Sequence, residues 1–356
     1  MRAPAEIHAR EKKPRVFELS VLNVLFCLLV IFIHVTSDPV ARLDRGSWQF
    51  LAVLIPQRLA AFVVPGFILL SGAKMFLNKT KVKYKAVLAR TAVIIATYLA
   101  WVLIYFAYFS VSGGYTAHLR DLPRYILTGD LVAHFYFIIV IVQFYALAPL
   151  WAWLVRRTPY AVFPIASTVM VQLGMLLPET VERVFGISGF AYADRIFTSY
   201  LIYWIAGCVI GANYDRFRKL LRFRLPVTAA FLLLAAVNAV LCRLHFTGLR
   251  NIIWFDSFLV LYNFSAILFF LMLAVQLADK QADNRAVRLI NRVDRVTFGI
   301  YLSHILVMLA AGDLLALIPG VPLAVSYAAR MVITYAVSIG GALAFKWVRG
   351  KRFWLT

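Results

Sequence analysis

The spacing of apolar runs constrains this chain more than any other feature. Ten stretches of about 20 mostly apolar residues follow one another, at 17–36, 50–72, 86–110, 132–155, 160–178, 196–213, 225–243, 254–278, 296–316 and 325–347. A helix that crosses a bilayer needs about 20 such residues, and it satisfies its own backbone hydrogen bonds without water. Only 15% of the residues are charged and 63% are hydrophobic, against roughly 25% and under half in soluble domains. The mean hydropathy is +0.82. These features predict an all-α integral membrane protein with about ten transmembrane helices. The expected organisation is an N-terminal tail at 1–16, one membrane domain at 17–347 and a C-terminal tail at 348–356. Val16 to Val35 is long enough to span and no small-residue cleavage site follows it. The first helix is therefore expected to be retained rather than removed as a signal peptide. Segment two carries Pro56 and Pro65 and is expected to be kinked or broken.

Charge orients the ten spans. With the N-terminus inside and the spans alternating, 27 of the 37 Lys and Arg residues fall in inner segments and 8 in outer ones, while Arg58 and Arg330 lie within spans. Acidic residues run the other way, with 6 inside and 9 outside. This asymmetry predicts that both termini are cytoplasmic, and an odd number of spans destroys it. Trp48, Trp151, Trp153, Trp254 and Trp347 fall near predicted helix ends, as an interfacial belt requires. The pI near 10.2 does not point to nucleic acid. The basic residues are dispersed over six short segments beside the membrane, where anionic lipid accounts for them. Cys27, Cys208 and Cys242 lie inside apolar runs without CxxC or Cys/His spacing. Neither a metal site nor a disulfide framework is expected.

Ionisable groups inside spans are costly and are candidate functional residues by default. Here they are Glu18, His34, Arg58, His304 and Arg330, with Asp38, His134 and Asp256 at outer helix ends. On the first helix, Asn23, Cys27, His34 and Asp38 share a face. Eleven residues separate Asn23 from His34, about 1100° of rotation and about 16 Å of rise. Asp38, four residues after His34, is placed to accept a hydrogen bond from the imidazole. That bond would fix the tautomer and leave the other nitrogen as a base. An interfacial histidine that merely bonds a neighbouring helix fits the spacing equally well. His304 likewise reads as an interhelical hydrogen-bonding group or as part of a site. Arg58 and Arg330 each need a counter-charge or a wet cavity. Ion pairing alone would satisfy either. Ser71-Gly72 reads as small-residue helix packing, because Leu70-Ser71-Gly72-Ala73 is not a nucleophile elbow.

Taken together these residues resemble the acyltransferase family 3 membrane proteins. Within that family the chain is most similar to the branch of intercellular-adhesion polysaccharide modifiers. The resemblance runs over nearly the whole chain. Phe17-Glu18-Leu19 through Ile33-His34 resembles the family's first helix, which ends in its key histidine. Val64-Pro65-Gly66 through Ser71-Gly72 is similar to the end of its second. Arg90 with Tyr98-Leu99-Ala100-Trp101, and Phe135-Tyr136-Phe137 through Tyr145 and Pro149, resemble the third and fourth. Tyr203-Trp204-Ile205-Ala206-Gly207 with Gly211, and Ile300-Tyr301-Leu302-Ser303-His304, complete the pattern.

The resemblance implies a ten-helix enzyme of the bacterial plasma membrane. It takes an acyl group from cytoplasmic acyl-coenzyme A and delivers it to an acceptor at the outer face, with His34 catalytic. The expected function is O-acyl transfer, O-acetyl in the first instance, to a cell-surface or lipid-linked glycan. Asp38 would orient His34, and Arg58 or Arg330 would stabilise the oxyanion. A covalent acyl-histidine route fits equally. Asn23 stands where the family commonly has an arginine, and it is grouped with Lys74, Lys81 and Arg90 as candidate donor-binding residues. Lys74 to Arg90 holds six basic and no acidic residues, a surface suited to phosphates. The rival reading is a polytopic transporter or exporter of a glycan or small polar solute.

Overall fold

The first apolar run folds as one uninterrupted helix, α1 (Phe17–Arg42), whose apolar residues point to neighbours on almost every side. The computed structural model describes residues 16–78, 81–112, 117–157, 192–252, 254–280 and 285–352. All regular structure among them is helical. The second run breaks into α2 (Trp48–Leu59) and α3 (Val63–Phe76), joined by a single 3-10 turn at Ala60–Phe62. Pro56 has no N–H to give to α2, while Pro65 sits in the first turn of α3, where its missing donor costs nothing. The chain continues through α4 (Tyr84–Ser112), α5 (Leu122–Thr128), α6 (Tyr136–Ala146) and α7 (Ala148–Arg157). After residue 192 come α8 (Leu201–Ala212), α9 (Tyr214–Leu220), α10 (Arg224–Phe246) and α11 (Phe255–Asp279). The last three are α12 (Arg285–Asp294), α13 (Thr297–Ala316) and α14 (Leu323–Arg352).

Seven segments of the described residues are long and apolar enough to cross a bilayer: α1, α2 with α3, α4, α10, α11, α13 and α14. An eighth arises if Leu119–Thr128 and Ala133–Ala146 count as one span bent by 42°. The predicted sixth segment is the shorter apolar helix Phe197–Ala212. The fifth, at 160–178, lies outside the described residues.

α1 is the centre of the bundle and packs against α2, α3, α11, α12, α13 and α14. At its N-terminal end, Arg218 of α9 pairs with Glu18 at 2.9 Å and also with Asp279 of α11. The backbone N–H of Asn78 donates to the Gly211 carbonyl at 2.8 Å. At its C-terminal end, Asp38 accepts from Tyr327 at 2.8 Å and Arg330 at 3.2 Å, both on α14. Three cross-links of tyrosine hydroxyls to backbone carbonyls brace the middle: Tyr105 to Leu302, Tyr335 to Leu28 and Tyr262 to Leu59. A buried hydroxyl needs such a partner, and these partners are carbonyls on other helices.

The tightest crossing joins α3 to α8. A methyl group at Gly207 would sit 2.1 Å from the Leu69 carbonyl oxygen, and one at Gly211 2.3 Å from that of Ala73. Small residues four apart let the two backbones touch. Trp204 closes the same region by stacking on Phe144, ring centroids 4.5 Å apart. Trp48, Trp153, Trp254 and Trp347 are exposed, as an interfacial belt requires. Trp151 departs from that expectation: it is buried and donates to the Phe144 carbonyl. The three cysteines are buried and unpaired.

Candidate active site

The face predicted on α1 is present, and its residues meet partners on several helices. Asn23 donates to the Asp294 carboxylate at 2.7 Å and to the Thr297 hydroxyl at 2.9 Å. Ser20 donates to the other Asp294 oxygen. The Cys27 thiol faces the Thr297 carbonyl. These contacts stitch the lower half of α1 to the junction of α12 and α13. Above them, Gln57 of α2 is buried and donates to the Ile33 carbonyl, with the Thr36 and Ser37 hydroxyls also within hydrogen-bond distance. Gln57 thereby fixes the turn of α1 that carries His34.

His34 does not stand alone. Its ring centroid lies 5.2 Å from that of His304 and 6.2 Å from that of His134, and the latter two are 4.9 Å apart. His304 comes from α13, where its Nδ1 lies 2.6 Å from the Tyr301 carbonyl oxygen. A carbonyl only accepts, so Nδ1 carries the hydrogen and Nε2 holds a lone pair. His134 comes from a 3-10 turn, Ala133–Phe135, at the bend between α5 and α6. Gly129 ends α5 at φ +70°, and a methyl there would meet the Phe135 carbonyl carbon at 3.0 Å. Only glycine suits both demands. The bend is pinned by the Tyr301 hydroxyl, which donates to the His134 carbonyl. Among the described residues, Nε2 of His304 has no hydrogen-bond partner and the His134 ring has no side-chain partner. Among the described residues no set of three or more His, Cys, Asp and Glu side chains is arranged to hold a metal ion, this trio included.

His34 opens into a pocket of about 120 Å³. Its polar wall is His34, His134, Tyr136 and Tyr301, and its apolar wall includes Phe67, Phe137 and Val64. A second pocket, about 310 Å³, lies between the start of α4 and α7. Lys81 and Arg156 both line it, with Tyr84 beside them. The Arg90 guanidinium lies 5.7 Å from the Tyr145 ring centre, and Lys74 is in the last turn of α3.

Three expected arrangements differ. Asp38 does not orient His34. One of its oxygens is bound by Arg42 at 2.7 Å, and the other by Tyr327 and Arg330. Two guanidinium groups and a phenol outcompete a neutral imidazole for a carboxylate. Arg330 is committed to Asp38 and to the Met308 carbonyl and does not line the pocket. Arg58 lies 4.1 Å from the centre of the Phe246 ring on α10 and does not line the pocket either. An arginine over an aromatic face gains a cation–π contact without a counter-charge. The sequence picks out His134 and His304 as polar groups in or beside spans but does not bring them to His34. The Gly129-Asp130 turn signal before an aromatic run is the trace of the bend that does so.

A helical bundle of membrane-crossing segments, with a histidine pocket at its centre and a second, cationic pocket, defines a multi-pass membrane protein with an enzyme-like site. A family model described as an acyltransferase domain, that of acyltransferase family 3, matches residues 16–347. The chain belongs to this family and is an acyltransferase. No curated protein and no solved structure shows a significant match to it.

Proposed function

We propose that this acyltransferase moves an acetyl group from acetyl-coenzyme A to a hydroxyl of a cell-surface or lipid-linked glycan. The observation that carries the reading is His34, a half-buried histidine that lines the pocket in a chain of this family. In the proposed step a His34 nitrogen takes the acceptor's hydroxyl proton as the oxygen attacks the thioester carbonyl carbon. The C–O bond forms, the C–S bond breaks, and coenzyme A leaves as thiolate and takes up the proton. The oxyanion falls to donors already at the pocket wall, His134 and Tyr136, rather than to the two arginines. Arg330 and Asp38 instead tie α14 to α1.

The donor's phosphates are assigned to the pocket of Lys81 and Arg156. Lys74 and Arg90 add positive charge along the same stretch. Asn23, bonded to Asp294, supports α1 below the site rather than the donor's charge. The bacterial plasma membrane is the proposed location, with the basic loops and both termini in the cytoplasm, beside coenzyme A and anionic lipid. Family membership favours an enzyme over the transporter reading.

The test is transfer of label from radiolabelled acetyl-coenzyme A to envelope glycan in membranes. His34→Ala is expected to lower the rate by about 10²- to 10⁴-fold, the usual contribution of a general base. Undiminished transfer by that variant removes His34 from the mechanism. Mass spectrometry of surface glycan with and without the protein should differ by one acetyl group per modified sugar.

A further inference from the structure

The histidine trio contains a group that the proposed chemistry leaves without a task. His34 and His134 both line the pocket, while His304 does not. His304 sits behind them, fully buried, and cannot touch a substrate held in the pocket. Its Nδ1 hydrogen is spent on the Tyr301 carbonyl, so Nε2 is an acceptor, and it has no partner among the described residues. A buried acceptor without a donor carries an uncompensated desolvation cost, and most such groups in folded proteins are paired. The polar side chains around it are few. Tyr301 gives its hydroxyl hydrogen to the His134 carbonyl, and Tyr105 gives its own to the Leu302 carbonyl. The donors left facing His304 are the rings of His34 and His134.

We infer that His304 is the positioning residue for His34: its Nε2 accepts the N–H of the His34 ring and leaves the other His34 nitrogen bare toward the pocket. This inference rests on the proposed role of His34 as the base. It gives His304 the task that Asp38 cannot perform, because Asp38 is held by Arg42, Tyr327 and Arg330. Two imidazoles sharing one hydrogen bond have centroids roughly 5 Å apart, since the nitrogens are about 3 Å apart. The observed separation is 5.2 Å. Hydrogen bonds of this kind often tighten only when substrate is bound. The arrangement also explains why the polar group is buried in the core. An acceptor of fixed tautomer behind the base prevents the base from presenting its N–H to the substrate. In this assignment His134, which also lines the pocket, is left to meet the reacting oxygen.

Three variants of the full-length enzyme test this. His304→Gln places an amide oxygen near the position of Nε2, whereas His304→Leu and His304→Met fill the space without an acceptor. The expected result is that Leu and Met lower kcat by about 100-fold with the KM for acetyl-coenzyme A within about twofold, the signature of an interaction used in the chemical step. Gln should stay within about fivefold of wild type. In a His34→Ala background, His304→Leu should cost nothing further. A purely structural histidine in an apolar core predicts the reverse, with Leu or Met tolerated better than Gln. That order, in variants that keep the wild-type melting temperature in detergent, overturns the inference.

A second measurement needs no turnover. In protein labelled with ¹⁵N-histidine and held in bilayers, the Nε2 signal of His304 should change from hydrogen-bonded to bare acceptor on His34→Ala. It should stay unchanged on His134→Ala. An Nε2 signal insensitive to His34 removes the bond. If wild-type membranes transfer no acetyl group at all, the proposed function fails, and the spectrum still decides whether His304 holds His34.

Discussion

His34 and Asp38 are one helical turn apart on α1, a spacing that reads as a base with its orienting carboxylate. The carboxylate goes elsewhere because stronger donors reach it first, Arg42 from its own helix and Arg330 and Tyr327 from α14. Asp38 is thus a clamp between helices. Asp38→Asn is expected to leave Arg330, which is largely buried, without its counter-charge. Breaking such a pair should lower stability by roughly 1–3 kcal/mol, read as a fall in melting temperature of the purified protein. The same variant should keep kcat within about tenfold of wild type. A loss as large as that of His34→Ala, in protein that still melts normally, would return Asp38 to the catalytic machinery. Arg58 teaches the same lesson from the other side. A cation within an apolar run asks for a partner, and among the described residues that partner is the face of Phe246 rather than an anion.

At the scale of elements, two features place the site. One is the bend at Gly129, just before the predicted segment 132–155, where the chain passes from α5 through a 3-10 turn into α6 and carries His134 inward. The other is the contact of α3 with α8, which holds the wall that contains Val64 and Phe67. Gly207→Ala places a methyl group 2.1 Å from the Leu69 carbonyl oxygen, so the helices must part. The expected loss is about 1–3 kcal/mol, the usual cost of overpacking, again read from thermal unfolding in detergent. Gly340→Ala, where an added methyl meets nothing within 4 Å, is the matched control. It should be neutral or slightly stabilising, because alanine favours a helix over glycine. Equal melting temperatures for the two variants would mean that the α3–α8 contact does not limit stability.

At the scale of the molecule, charge predicts orientation. The basic stretches around Lys81, Arg156 and Arg218 are expected on the cytoplasmic side, with Asp38 and Arg330 facing outward. A fluorescent protein fused after Thr356 should light up, and alkaline phosphatase fused there should stay inactive. The opposite pair of results inverts the molecule and separates the cationic pocket from cytoplasmic coenzyme A. The sequence by itself determined the helical class, most of the long apolar helices, the break in segment two and the face of α1 that bears Asn23, Cys27, His34 and Asp38. Those depend on apolar length and on a 3.6-residue period, which are local and additive along the chain. It did not determine the partners of that face. Which side chain meets His34 depends on the rotation and depth of α13, and on a bend 87 residues beyond the end of α1 (129 − 42). Neither leaves a periodic trace. The tertiary structure decided that His34 faces two histidines, and that the aspartate one turn away belongs to arginine.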